Sequence, residues 1–404
     1  MDRKNELNFD AYVNDDNQQR FFYKIGLIGP SRVGKTSIVA ALLEEAKAAL
    51  AQTGVSINAY EDEDGISATK ERIKNTILDI ESGLDFGEFQ PTGMGTADPF
   101  IFDLVMTIAD QKKEKNKAQL RFAILDYPGG WFSNQVSSGR QSEWENCQKW
   151  IQDSSVIIIP IDANLIMEVD SAKKSKASRE WLEVLEVEEL VRDWAKSRHN
   201  KQESGLLLFV PVKCETYFNE NGGKEDKSQQ LYERICKFYG GAIDAVKQEM
   251  SEKQDQDSQA NEDRGLWQRI GDQFRDLNDT INPKNPTYTI EYHPVDTIGC
   301  IELANAHWEP DQTSGREKLV CQYLVRNAGG SFPKVKRLGN IGLLGSMCKQ
   351  IVENRQNSGI FQKVWDWSSG KNKLLVNVIS KLAQHKPSSR FKQIDNGDIA
   401  QKRG

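Results

Sequence analysis

The stretch Gly29-Pro30-Ser31-Arg32-Val33-Gly34-Lys35-Thr36 has the spacing G-x-x-x-x-G-K-T and lies between two runs of different periodicity. Before it, Phe21-Phe22-Tyr23-Lys24-Ile25-Gly26-Leu27-Ile28 is a short apolar run of the kind that forms a buried strand. After it, Ser37 to Ala49 is rich in helix formers and carries an apolar stripe at Ile38, Ala41, Leu42 and Ala46. Strand, glycine turn and helix in that order make a phosphate-binding loop. The backbone around Gly29, Ser31, Val33, Gly34, Lys35, Thr36 and Ser37 is expected to cradle polyphosphate oxygens at the positive end of the helix dipole. Lys35 is expected to neutralise the β- and γ-phosphates, and the Thr36 hydroxyl to complete the coordination of Mg²⁺.

A second signal lies about ninety residues further on. Leu125-Asp126-Tyr127-Pro128-Gly129-Gly130-Trp131 places an acidic residue at the end of an apolar run and a glycine three residues later. Alone, D-x-x-G is a common turn. Beside a phosphate loop, Asp126 is expected to hold a water on Mg²⁺ and the Gly129 N–H to meet the γ-phosphate, so that losing that phosphate releases the segment carrying Trp131. The runs Phe100–Ile108 and Leu120–Leu125 are joined only by the lysine-rich tip Gln111–Lys117, which suits an antiparallel hairpin and is too short for a parallel crossover. Thr92 or Thr96, just before the hairpin, is the expected switch threonine that senses Mg²⁺ and γ-phosphate, with Thr92 preferred.

Beyond the hairpin the pattern alternates: Glu143–Ile151 helical, Ser155–Ile161 a buried strand, Ser178–Ser197 an amphipathic helix, Leu206–Val212 a buried strand, Gln230–Met250 helical and Thr287–Val295 the last strand of the sheet. The expected fold is α/β: a three-layer phosphate-loop NTPase with a mainly parallel sheet, one antiparallel hairpin strand and an appended, mainly helical C-terminal region. Residues 1–20 read as a polar leader. Residues 21–308 form the nucleotide domain, with a helical excursion at 53–90 that includes a helix from Ser67 to Leu84, and a polar insertion at 251–265. Residues 309–404 are the C-terminal region, with one strand at Lys318–Leu324, helices at Gly342–Arg355 and Phe361–Gln384, and a polar tail.

Composition narrows the partners. The 404 residues carry 53 Lys+Arg against 59 Asp+Glu, a formal charge of −6, so no global basic field favours nucleic acid or anionic lipid. No run approaches the ~18 apolar residues of a membrane span, and the first residues have no apolar signal core, so a cytoplasmic chain is expected. Cys147, Cys214, Cys236, Cys300, Cys321 and Cys348 are scattered, without the spacing of a zinc site or of a disulfide framework. The four histidines show neither triad nor metal spacing.

G-P-S-R-V-G-K-T followed by D-Y-P-G-G-W resembles the bacterial YcjX-like and double-GTPase families, within the Ras-like, translation-factor-related (TRAFAC) class; the likeness covers residues 21–135 best. The resemblance implies a Mg²⁺-dependent GTP switch in bacteria that controls a protein partner, one encoded in the same operon for instance, in stress responses or conflict and antiviral-defence systems. Homo- or hetero-oligomers are compatible with it.

The chain departs from the class at two points. The strand expected to end in Asn/Thr-Lys-x-Asp ends Val210-Pro211-Val212-Lys213-Cys214-Glu215: Lys213 would pack its stem along the purine, and Glu215 would accept the guanine pair with one more methylene. This leaves GTP/GDP as the expected nucleotide with ATP open, and a polar strand exit is the plainer reading of the same residues. Pro294-Val295-Asp296-Thr297 falls where a base-covering loop is expected. The residue after D-x-x-G, a water-orienting Gln in Ras-like enzymes, is Gly130. Arg32, inside the phosphate loop, is the expected transition-state arginine in cis, as in guanylate-binding proteins, with Lys35 and Gly129 as its catalytic companions. A nucleotide-binding scaffold with little or no hydrolysis is the other reading of these departures.

Overall fold

The computed structural model describes residues 9, 12, 20–30, 33–62, 64–86, 98–108, 119–128, 131, 140–221, 225–249, 288–297, 301–312, 315–325, 339–353, 373–385 and 389–394. In chain order the elements are β1 (Arg20–Leu27), α1 (Lys35–Leu50), β2 (Val55–Ala59), α2 (Ala68–Phe86), β3 (Phe100–Ile108), β4 (Gln119–Asp126), α3 (Gln141–Asp153), β5 (Val156–Asp162), α4 (Ala163–Met167), α5 (Ala172–Trp181), α6 (Val184–Asn200), β6 (Gly205–Val212), α7 (Ser228–Phe238), a further helix α8 over 240–249, β7 (Tyr288–Tyr292), β8 (Ile301–Pro310), β9 (Glu317–Val325), α9 (Asn340–Glu353), α10 (Lys373–Ala383) and β10 (Lys392–Gln393).

Eight strands form one sheet in the order β10-β7-β6-β5-β1-β4-β3-β2. β1, β4, β5, β6 and β7 are mutually parallel, while β3 is antiparallel to β4, β2 to β3 and β10 to β7. The apolar runs read as buried strands are buried on both faces, and their side chains alternate between two cores. Ile157, Ile159, Leu207 and Phe209 join Ala123, Leu125 and the α3, α6 and α7 side chains. Val156, Ile158, Leu206 and Leu208 join Phe122, Ile124 and the α1, α9 and α10 side chains. A period of two along each strand thus supplies both faces of a parallel sheet.

The structure differs from the sequence expectation in several places. Val55–Ala59, inside the stretch read as a helical excursion, is an edge strand; Val55, Ile57 and Ala59 alternate inward, a short period-two signal outweighed by the helical run after it. Two strands, β3 and β10, oppose the parallel set, where a single one was expected. The helix expected over 178–197 is two helices meeting at Leu182 and Glu183, because Leu182 is fully buried and Glu183 adopts a left-handed backbone, φ 49°. β9 does not extend the main sheet but pairs with β8 in a separate two-stranded ribbon, and β8 runs across position 309. α9 and α10 share a core with α1 and the sheet. The hairpin tip 111–117 and the insertion 251–265 lie outside the described residues.

The charged pair Asp103 and Arg121 sits diagonally across β3 and β4 and is almost fully buried. Arg121 Nε donates to Asp103 Oδ1 at 2.9 Å, and its guanidinium lies 3.5 Å from the Tyr60 ring centroid and 4.6 Å from that of Phe22. The Asp103 backbone N–H is taken by Thr69 Oγ1 at 3.0 Å, which fixes α2 to the hairpin. Burial pushes the Asp103 carboxyl up, and the Arg121 hydrogen bond pulls it back. Asp103→Ala leaves a buried guanidinium without its carboxylate and should cost about 3–5 kcal/mol of stability. Urea unfolding checks this, and a loss within error of zero would mean that the aromatic rings alone satisfy Arg121.

Candidate functional site

The C-terminal end of β1 runs into Ile28-Gly29-Pro30, and the Ile28 N–H still pairs with Ile158 O of β5 at 2.9 Å, so the loop leaves the sheet from a fixed point. Gly34 caps α1 with φ 103°, a left-handed conformation that glycine adopts without strain. Val33 is buried against Gly29. Lys35, first residue of α1, is buried, and its ammonium donates to Gly29 O and Pro30 O, both at 2.9 Å. It lies 4.0 Å from Asp126 Oδ1 and 5.6 Å from the centroid of the Tyr127 ring. Burial lowers the Lys35 pKa, while Asp126 and Glu183 oppose the shift.

The parallel register sets Asp126 beside Leu27, so the last residue of β4 stands at the mouth of the loop. Thr36 Oγ1 donates to Asp126 Oδ2 at 2.9 Å. A hydroxyl and a carboxylate brought together at the foot of the glycine turn are hard oxygen donors of the kind Mg²⁺ takes. These residues therefore fit the ion. Among the described residues no cluster of three or more His, Cys, Asp or Glu forms a self-contained metal centre. Tyr127 adds a contact that the sequence reading did not assign: its hydroxyl accepts the Gly29 N–H at 3.3 Å, and burial raises its pKa well above the usual phenol value.

The other end of the site lies beyond β6. Lys213 has φ 54°, and its ammonium pairs with Asp162 Oδ2, at the end of β5, at 2.5 Å. Glu215 opens a 3₁₀ turn over Glu215–Tyr217 and is buried. The segment after β7 runs alongside, with the Val295 N–H donating to Pro211 O at 3.1 Å and Cys214 Sγ near Val295 O. Asp296 is fully buried and held by Arg390, whose Nη1 donates to Oδ1 at 3.0 Å. Arg390 also pairs with Glu220 and lies 4.2 Å from the Phe218 ring centroid. Asn340 Nδ2 donates to Asp296 O at 3.2 Å and to Glu45 Oε1 at 2.9 Å. Gly339, φ 96°, approaches Pro294 so closely that a Cβ would lie 2.2 Å from its carbonyl oxygen.

The described structure therefore brings Gly29, Val33, Gly34, Lys35, Thr36, Asp126 and Tyr127 together at the ends of β1 and β4, and puts Lys213 and Glu215 at the end of β6. Ser37 follows in α1, half-buried. Ser31, Arg32, Thr92, Thr96 and Gly129 lie outside the described residues. The grip of Arg390 on Asp296 had no sequence signal, because the partners are 94 positions apart. A scan against protein-family models and a search of curated proteins find no match for this chain. No helix among the described residues is long and apolar enough to cross a membrane.

Arg390→Ala removes the guanidinium that faces the fully buried Asp296 carboxylate and should lower stability by about 3–5 kcal/mol. A chemical-denaturation midpoint close to the wild-type value would show that the C-terminal segment does not hold the loop.

Proposed function

We propose that this protein is a Mg²⁺-dependent nucleotide switch of the Ras-like phosphate-loop class, which binds and slowly hydrolyses GTP to control a protein partner. The observation that carries the reading is the group Lys35, Thr36 and Asp126: an ammonium, a hydroxyl and a carboxylate converging at the foot of a glycine turn. That group has the chemistry a polyphosphate with its cation requires. The strand order supports the same class. β1 is flanked by β4, which ends in Asp126, and by β5, and an antiparallel strand, β3, lies beyond β4, as a hairpin before D-x-x-G demands.

On this reading Lys35 exchanges the Gly29 and Pro30 carbonyls for phosphate oxygens, Thr36 and Asp126 serve the cation directly and through water, and the Gly129 N–H meets the γ-phosphate. Mg²⁺, when bound, offsets the charge developing between the β- and γ-phosphates. Lys213 and Glu215 stand where the base is read, and the Asp162 carboxylate keeps the Lys213 ammonium at the end of β5. Arg32 supplies positive charge in cis to the transition state. A bacterial cytoplasmic setting, in a stress or defence system, belongs to the same proposal through the family resemblance. Gly130, with no side chain to order a water, favours a second reading: a scaffold subunit that holds GTP or ATP as a structural ligand with little turnover.

Lys35→Ala should weaken Mg²⁺–GTP binding at least tenfold, ~1.4 kcal/mol or more. Titration calorimetry measures it, and unchanged affinity would remove the phosphate-loop assignment. If Glu215 reads guanine, wild-type protein should prefer GTP over ATP and Glu215→Ala should lose that preference, because a paired acceptor is gone from the base edge. Competition binding of the two nucleotides decides the point, and equal wild-type affinities would refute guanine specificity.

A further inference from the structure

One carboxylate near the phosphate loop belongs to none of the roles above. Glu183 stands at the start of α6, at the break between α5 and α6, with its backbone at φ 49° and ψ 45°. That conformation is uncommon for a residue with a Cβ, and where it persists the surroundings hold it in place. A carboxylate at a helix start ordinarily caps the first turn, yet Glu183 makes no capping hydrogen bond. Its Oε2 is buried without a hydrogen-bond partner. Tyr239, in the turn between α7 and α8 and within the field of Glu183, is almost fully buried and its hydroxyl also has no partner. A buried polar atom without a protein partner calls for a water or another small polar ligand.

Electrostatics ties Glu183 to the glycine turn through Lys35. Glu183 lies in the field of Lys35, and Tyr127 and Tyr239 lie in the field of Glu183. The titratable groups that interact with it are Lys35 from α1, Tyr127 just after β4, Glu186 one turn along α6, and Tyr239. Burial first, then the negative charge of Glu186, push the Glu183 carboxyl up to about 8, and Lys35 pulls against them.

Resting on the phosphate-site reading above, we propose that Glu183 is the group that orders and deprotonates the attacking water in triphosphate hydrolysis, with the Tyr239 hydroxyl as a second ligand of that water. This supplies from α6 what Gly130 lacks. In the step, the water oxygen forms a bond to the γ-phosphorus and its proton passes to Glu183. The bond from the γ-phosphorus to the bridging oxygen breaks, and its electron pair stays on the β-phosphate of the departing diphosphate. The proton on Glu183 is then lost to solvent, so atoms and charge balance as hydrolysis to diphosphate and inorganic phosphate. A carboxyl raised this far is mostly protonated at neutral pH and becomes a competent base as the pH rises through about 8. Slow turnover at neutral pH follows.

The test is single-turnover hydrolysis of Mg²⁺–GTP by the full chain between pH 7 and 9.5, alongside equilibrium GTP binding. Wild-type rate should rise with pH and then level off. Glu183→Gln keeps the shape of the side chain and should bind GTP within about threefold of wild type, hydrolyse it ~100-fold more slowly or worse, and lose the pH dependence. Tyr239→Phe should slow the step less while keeping the midpoint. Three results would overturn the proposal: a flat wild-type pH profile, an unchanged rate in Glu183→Gln, or a wild-type protein that binds GTP and does not hydrolyse it at high pH. All three leave the nucleotide-binding reading intact. Failure of the wild type to bind either GTP or ATP would instead remove the reading beneath it.

Discussion

The buried ammonium of Lys35 is the constraint around which the candidate site is arranged. A cation out of water must have its N–H groups met by acceptors, and two of these are the carbonyls of Gly29 and Pro30. Those carbonyls are available only because the loop turns back over the helix start, which the left-handed Gly34 allows. The loop in turn is anchored where it leaves the sheet, by the Ile28 pairing to β5 and by the Gly29 N–H on the Tyr127 hydroxyl. Shift β4 by one residue along β1 and Asp126 leaves both Lys35 and Thr36. The strand register and the charge balance of the site are therefore one fact.

The sheet explains why the site lies where it does. Parallel strands put all their C-terminal ends on one edge, and β1 has neighbours reached by connections to opposite sides, β4 and β5. Such a point opens a crevice beyond the strand ends, where ligands of open α/β sheets bind. Asp126, Asp162 and the residues after Val212 all fall on that edge. Glu183 arrives there as well, because the start of a helix that returns antiparallel to the strands lies over their C-terminal ends.

The C-terminal residues form part of this same body. β10 adds to the edge of the sheet next to β7, and the Ile394 N–H pairs with Ile290 O at 2.9 Å. Ser346 of α9 meets His293, which also meets Glu291 of β7, in a buried polar contact behind the loop that carries Asp296. With Arg390 and Asn340 gripping Asp296 from two further segments, the loop after β7 is set by residues that follow it by 44 or more positions. The acidic residue of this loop is held by structural contacts with Arg390 and Asn340.

Local chemistry was enough to read the glycine turn, the strand before it, the helix after it and the acidic residue at the end of β4. Each depends on residues adjacent in the chain: apolar runs of strand length, helix-forming composition, and the glycine spacing of the turn between them. β2 was missed: the alternation of Val55, Ile57 and Ala59 is too short to stand out beside the helical run that follows it. What the tertiary structure alone decided is everything that depends on chain segments meeting at a distance. The break at Glu183 is invisible in a continuous amphipathic pattern, because a left-handed residue keeps the apolar stripe on either side intact. The separation of β8 and β9 from the main sheet and the Arg390–Asp296 pair have the same origin: a strand's partner and a buried charge's counter-charge are set by the three-dimensional path, and no local propensity encodes them.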